Sequence, residues 1–195
     1  MFSGIVNRQG ALIQIKPSPQ NLKIRVRHHG LGRRVRVGDS VAVNGCCLTA
    51  VKNQKGIFQF DVLRETWERT AFRAVHIPER VNLELPLRWG DPMGGHFVTG
   101  HVDATGIIAC RRKKNRDIWI EIKPPKKFMR WIVPKGSVAL DGVSLTVASV
   151  AKHRFGVWLI PHTLKLTTLG WKKEGDRVNL EADMLAKYAQ KVSPR

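Results

Sequence analysis

The chain has 195 residues, with 34 Lys and Arg against 15 Asp and Glu, a formal net charge of +19 at pH 7. That length suits one large or two small domains, and no apolar run approaches the roughly 18 residues that span a membrane. Three cysteines, Cys46, Cys47 and Cys110, form neither a disulfide framework nor a Cys-x-x-Cys zinc pair, and Met1-Phe2-Ser3-Gly4-Ile5-Val6-Asn7-Arg8 lacks the order of a signal peptide, so a reduced, cytoplasmic protein is expected.

Short alternating runs dominate the chain. In Ile57–Leu63, Phe58, Phe60 and Val62 share one face. Asn53-Gln54-Lys55-Gly56, Trp89-Gly90-Asp91-Pro92 and Glu174-Gly175-Asp176 punctuate such runs as turns. Leu85 to Gly95 has turn formers and no period, and marks a boundary between residues 1–96 and 97–195. In Asp117–Lys123 the three isoleucines share a face, and Phe155–Ile160 reads as a further strand. Pro125 predicts a helix carrying Phe128, Trp131 and Ile132 on one stripe, stopped at Pro134. Leu185, Tyr188, Ala189 and Val192 predict a tail helix from about residue 185, too short to be stable alone in water. Many short strands with regular turns predict a mainly β protein of barrels or sandwiches.

The chain also says the same thing twice. Ser40-Val41-Ala42-Val43-Asn44-Gly45 returns as Ser137-Val138-Ala139-Leu140-Asp141-Gly142, and Arg80-Val81-Asn82-Leu83-Glu84 returns letter for letter at 177–181. Phe58 and Phe155, Thr66 and Thr163, and Thr70 and Thr167 keep the same offset of 97 residues. One register over half a chain means two similar folded units with two similar pockets. Within that scaffold the reactive positions differ: Cys47 becomes Ser144, Glu65 becomes His162, and Gly4-Ile5 becomes Gly100-His101. Function is to be sought in these differences.

Cys46 and Cys47 point to opposite faces of a strand, so at most one lines a pocket. His96 and His101, five apart, fall on opposite faces, which argues against a shared metal. His101 and Asp103 share a face, so the carboxylate is placed to orient the imidazole. Lys135 can neutralise an anionic ligand. Thr49 and Thr146, beside Leu48 and Leu145, suit a flat heterocycle that needs edge hydrogen bonds and apolar faces. The basic runs at Lys23–Arg27, Arg33–Arg36, Arg111–Arg116 and Lys123–Lys127 are scattered. They lack the interleaved aromatics of a single-strand platform. They read as solvated loops and outer strand faces, and nucleic acid is not the expected partner.

Together, Met1–Val6, Asn44–Thr49, Gly94–Asp103, Lys135-Gly136-Ser137, Asp141–Thr146, Ile160–Leu164 and Leu185–Tyr188 resemble riboflavin synthases of the homotrimeric, two-barrel type, in order over essentially the whole chain. The resemblance implies two six-stranded Greek-key barrels in tandem and a C-terminal helix that helps trimerise. It implies dismutation of two molecules of 6,7-dimethyl-8-ribityllumazine by four-carbon transfer, giving riboflavin and a ribitylamino-pyrimidinedione, with no metal or redox cofactor. One ligand would be held by Gly4, Ile5 and Val6, by Cys47, Leu48 and Thr49, and by Asp61, Val62, Leu63, Arg64, Glu65 and Thr66. The other would be held by Gly100, His101 and Val102, by Lys135, Ser144, Leu145 and Thr146, and by Ile160, Pro161, His162, Thr163, Leu164 and Lys165. Phe2, Ser40, Cys47, His101, Ser144 and Asp183 match positions linked to catalysis. The productive cleft would lie between barrels of neighbouring subunits, and association with lumazine synthase is a further implied partnership. Ser3 stands where threonine is common, and Leu85-Pro86 replaces a more polar stretch. A non-catalytic lumazine or flavin binder is the alternative, and the presence of Cys47, His101 and Ser144 ranks it below the enzyme.

Overall fold

In the computed structural model, which describes residues 1–18 and 20–192, the alternating runs become strands that close into two barrels. The first contains β1 (Arg8–Pro17), β2 (Asn21–Arg27), β3 (Ser40–Val43), β4 (Cys46–Gln54), β5 (Ile57–Leu63) and β6 (Glu79–Glu84). The second contains β7 (Ala104–Lys114), β8 (Asp117–Lys123), β9 (Ser137–Leu140), β10 (Val143–Ala151), β11 (Arg154–Leu159) and β12 (Arg177–Ala182). Both rings run in the order first, second, fifth, fourth, third, sixth, with all neighbours antiparallel. Closure leaves no exposed sheet edge. No helix among the described residues is long and apolar enough to cross a membrane. The expected end of the second unit, residue 195, lies outside the described residues.

Each barrel is filled by one face of its strands. Phe58, Phe60 and Val62 point inward with Leu12, Ile24, Val26, Val43, Val81 and Leu83. In the second barrel Ile118, Ile120 and Ile122 meet Phe155, Val157, Leu159, Val178 and Leu180. Truncating one of these buried phenylalanines to alanine costs about 3–5 kcal/mol. The repeat extends to irregularities: β1 is bulged between Leu12 and Gln14 and β7 between Ile108 and Cys110, while β4 and β10 are bulged at Ala50/Lys52 and Val147/Ser149. The first pair of bulges is 96 residues apart and the second 97; β2 and β8 likewise begin 96 apart and β3 and β9 97 apart, so a one-residue slip falls between the second and third strands.

The helices depart from the sequence reading. The segment after Pro125 is a 3-10 helix, Lys126–Trp131, in which Phe128 N–H bonds to Pro125 O and Ile132 N–H to Met129 O. Between Pro125 and Pro134 there is no room for a regular α-helix, yet Phe128 still reaches the core. The strand expected through Ile160 ends at Leu159, because Pro161 opens α2 (Pro161–Leu166) and holds Ile160 extended. α2 and its counterpart α1 (Arg64–Arg69) went unread: at six residues each, they carry too little periodicity. The tail helix α3 spans Met184–Val192, with Asp183 Oδ1 accepting from Leu185 N–H at 3.0 Å, and Leu185, Tyr188 and Val192 stay exposed.

The barrels meet at two matching hairpin turns, Asn44-Gly45 and Asp141-Gly142, all four residues at positive φ. A Cβ on Gly45 would sit 2.5 Å from Gly142 N, so both conformation and proximity demand glycine. The repeated asparagines of β6 and β12 lock this junction reciprocally. Asn82 donates to Asp141 O (2.9 Å) and accepts from Thr168 N–H (2.8 Å); Asn179 donates to Asn44 O (2.8 Å) and accepts from Ala71 N–H (2.7 Å).

Candidate active site

The segment entering each barrel lies across the other one. Phe2 and Val98 exchange backbone hydrogen bonds of 2.8 and 3.1 Å. Beyond them Gly4 O accepts from Ser144 N–H at 2.9 Å, and Gly100 O accepts from Cys47 N–H at 2.8 Å. Both glycines have positive φ, and a Cβ would lie 2.6 Å from Ser144 Cβ or 2.5 Å from Cys47 Cβ. Val6 accordingly joins the second barrel's core, while Val102 packs on the first.

Two buried carboxylates clamp these crossings. Glu84 accepts from Ser3 N–H (2.8 Å), Ser3 O–H (2.9 Å) and Gly4 N–H (3.1 Å). Glu181 accepts from Thr99 N–H, Thr99 O–H and Gly100 N–H at 2.6, 2.7 and 3.0 Å. Burial pushes both carboxyls above the usual range, and these hydrogen bonds pull the other way. The repeated Asn and Glu of the Arg-Val-Asn-Leu-Glu segments thus hold the seam together.

The sequence reading grouped Gly4–Val6 with Cys47–Thr49 and Gly100–Val102 with Ser144–Thr146. The backbone sets Gly4 against Ser144 and Gly100 against Cys47 instead. A symmetric repeat reads the same whether each segment serves its own barrel or its sister.

Around Cys47, which is half-buried, Thr49, Asp61, Leu63, Arg64 and Glu65 are exposed and Thr66 is half-buried, whereas Leu48 and Val62 are core side chains. Glu65 is paired with Arg69 at 3.1 Å. Around Ser144, Thr146, Ile160, Pro161, His162 and Lys165 are exposed, and Leu145, Thr163 and Leu164 are half-buried. Lys135 is exposed at φ 65. Phe2 is fully buried in the seam with Ala42, Val98 and Ala139, so it positions the crossing segments rather than facing solvent. Ser40 lies opposite Thr49 across the β3–β4 ladder. Asp183 lines a cleft of about 560 Å³ with Trp131, Ser137 and Leu185.

His101 is exposed, with its N–H bonded to Thr99 Oγ1 at 3.2 Å. Asp103, expected to orient it, instead accepts from Ala182 N–H (2.9 Å) and pairs with Lys187 at 2.6 Å, so it ties α3 to the barrel. The face-sharing rule failed because residues 99–103 form no strand.

The residue that sequence reasoning missed is His96. It is buried, and its Nδ1 lies 2.7 Å from Ser144 Oγ. Burial holds its pKa below the usual imidazole value, partly offset by the Asp183 carboxylate. Neutral at neutral pH, it accepts the Ser144 hydroxyl hydrogen in one tautomer and polarises that oxygen. The signal was Gly94-Gly95: a Cβ at Gly95 would strike Ser3 O and Ser144. In the other barrel burial pushes the Cys46 thiol up to about 12, so it packs as an inert hydrophobe, while Cys47 is the accessible one. Among the described residues no cluster of three or more His, Cys, Asp or Glu side chains is assembled. A cleft of about 640 Å³ lies by Arg80, Trp171 and Lys172 and touches none of these site residues. The seam is the better candidate because it gathers the groups that differ between the copies.

The lumazine binding domain family matches residues 3–86 and again 99–183. Riboflavin synthase of Actinobacillus pleuropneumoniae is 40% identical over 190 residues, 97% of this chain and 88% of the relative. That of Mycobacterium tuberculosis is 40% identical over 196 residues, 98% of each. That of Bacillus subtilis is 35% identical over 188 residues, 96% of this chain and 87% of the relative. Among solved structures, LumP complexed with riboflavin superposes with a TM-score of 0.87 at 24% identity, over 93% of this chain and 99% of that one, which shows a common fold.

Proposed function

This chain belongs to the family of riboflavin synthases built from two lumazine binding domains, and we propose how its two barrels share the reaction. The activity is the dismutation of two molecules of 6,7-dimethyl-8-ribityllumazine. One gives up a four-carbon unit, leaving as the ribitylamino-pyrimidinedione, and the other accepts it to become riboflavin. The observation that carries the division of labour is the pair of equivalent positions Cys47 and Ser144, each bonded through its backbone N–H to a glycine of the segment crossing from the other barrel.

In this reading each pocket holds one lumazine. Thr49 and Thr146 offer edge hydrogen bonds, and Leu63 and Ile160 cover the ring face. The Cys47 pocket carries His101; the Ser144 pocket carries His96 behind the serine. His101 and the Ser144 hydroxyl, polarised by His96, move protons to and from the 7-methyl group and ring, and Cys47 assists addition at the partner ring. Holding two rings face to face supplies much of the acceleration. We divide the chain at residues 96 and 97.

We further propose a cytoplasmic homotrimer. Leu185, Tyr188 and Val192 on α3 are each more than 60% exposed in the single chain, and Met1, Ile5 and Ile160 are exposed as well. Stacking α3 on sister helices, and one subunit's first barrel on a neighbour's second, would cover both groups. Association with lumazine synthase would then shorten the path of its product to this site.

The test is incubation of the full chain with 6,7-dimethyl-8-ribityllumazine alone. Riboflavin should form without added cofactor, at one molecule per two lumazines consumed. Tight binding without turnover would favour the non-catalytic reading. Removing residues from Leu185 onward should dissociate the oligomer and abolish turnover together; a fully active monomer would refute the intersubunit cleft.

A further inference from the structure

The basic run Arg111-Arg112-Lys113-Lys114-Asn115-Arg116 takes no part in the lumazine pockets described above. Along the sequence it lacks aromatics, but across the sheet it has them. On the outer face of the second barrel Arg112 of β7 lies opposite Trp119 of β8, which lies opposite Trp158 of β11. The two indoles are 5.0 Å apart at centroid and tilted by 56°. They form one wall of a groove of about 500 Å³ lined by Arg112, Lys113, Lys114 and Ala148.

This platform is built. The Trp119 ring packs against Gly156, where any Cβ would run into it. Its Nε1–H donates to Glu121 at 3.3 Å, fixing the ring's orientation. Glu121 is further engaged by Arg154 at 3.6 Å, so the nearest carboxylate on this face is already matched; Asp117, at the start of β8, is the other acid of the hairpin. The barrel scaffold does not require the arrangement. At the equivalent places of the first barrel stand Lys23 for Trp119, Asp61 for Trp158 and Gln59 for Gly156.

We propose that this face binds a single-stranded polynucleotide, a function beyond riboflavin synthesis. Bases stack on Trp158 and Trp119, and the phosphates follow Arg112, Lys113, Lys114 and Arg116 along the hairpin. Stacking tolerates any base, and the cations respond to any phosphate, so the expected site is sequence-tolerant and salt-sensitive. The +19 charge draws the strand in; the paired indoles, present on one barrel alone, localise it.

The experiment is fluorescence anisotropy of labelled oligouridylate and oligothymidylate, in separate arms, at physiological ionic strength, with the full chain. Binding is expected, with quenching of the protein's tryptophan emission. Trp158→Ala should weaken it about tenfold, and the exposed pair Lys113→Glu, Lys114→Glu should weaken it further and flatten its salt dependence. RNA against DNA preference identifies the source of the strand. The proposal fails if neither oligomer binds, if saturation leaves tryptophan emission unchanged, or if Trp158→Ala binds as tightly as the unaltered chain. It also fails if sedimentation shows Trp158→Ala abolishing self-association while binding stays intact, which would make the face a contact between copies. Thermal unfolding confirms that each variant folds; should Trp158→Ala not fold, the emission measurement on the unaltered chain decides.

Discussion

The two barrels share a ring order, two bulge positions and a glycine turn, yet they are armed differently. The first presents Cys47, Glu65 and the crossing His101; the second presents Ser144, His162 and, behind the serine, the buried His96. At the junction the first uses Asn44 where the second uses Asp141. The hairpin turns, the glycine crossings and the carboxylate clamps are duplicated, whereas Cys47 and Ser144, and Glu65 and His162, differ at equivalent positions. A reaction between two copies of one molecule needs two pockets of one shape and two chemistries, and duplication followed by divergence of side chains supplies both.

The largest effect should come from what the barrels share. Phe2 is fully buried in the seam against Val98, Ala42 and Ala139. Phe2→Ala should cost about 3–5 kcal/mol in urea unfolding and drop turnover at least a hundredfold, because Gly4 and Gly100 lose their registration together. Normal turnover in this variant would show that the crossing segments do not position the pockets.

Gly45→Ala and Gly142→Ala form the next test. Both positions have positive φ and face each other's backbone. Each substitution should destabilise by about 3 kcal/mol or more, and by similar amounts. A large difference between them would break the claimed equivalence of the two turns.

Asp141 sharpens the comparison from the other side. Burial raises its pKa from 3.8 to about 6, with Lys172 opposing. The folded chain therefore holds this proton more tightly than the unfolded chain. Stability is greatest below the unfolded value and falls as pH rises to about 6, by about 3 kcal/mol at 1.36 kcal/mol per unit. Asp141→Asn copies the first barrel's solution, since Asn44 Oδ1 makes the matching bond to Asn82 N–H at 2.7 Å. It should flatten that slope and raise stability at neutral pH by about 1–3 kcal/mol. Asn44→Asp should do the reverse. Denaturant titrations across this pH window check both.

Much of the fold was legible because closed barrels write alternation into every strand, and because the duplicated register exposed the second copy. The turn at Asn53–Gly56 and the inward faces at Phe58 and Ile120 followed directly. The seam was not legible. Nothing in Gly4 or Gly100 says which barrel each will touch, since both answers satisfy the same repeat. Asp103 was misread because the rule of shared faces holds only in strands. His96 was weighed only as a metal ligand, and its partner Ser144 is 48 residues away. Trp119 and Trp158 are likewise far apart in sequence and adjacent only across a ladder.

The smallest expected effect concerns that histidine. With its pKa lowered by burial, His96 is unprotonated at neutral pH, so the acid limb of turnover should lie below the ordinary imidazole range. His96→Gln should alter this limb while leaving lumazine binding at the Cys47 pocket unchanged. A profile identical to that of the unaltered chain would remove His96 from the proton path.

The central claim is that two differently armed pockets act as a pair across a subunit boundary. Thr49 and Thr146 are equivalent, exposed, and one to each pocket. Thr49→Trp should block the first pocket and Thr146→Trp the second, and each homo-oligomer should be inactive. Co-expressed and randomly mixed, the two should recover about a quarter of full turnover, because a cleft works only where an open first pocket meets a neighbour's open second pocket. Mixed oligomers as inactive as their components would contradict the account and place both reacting molecules within one chain.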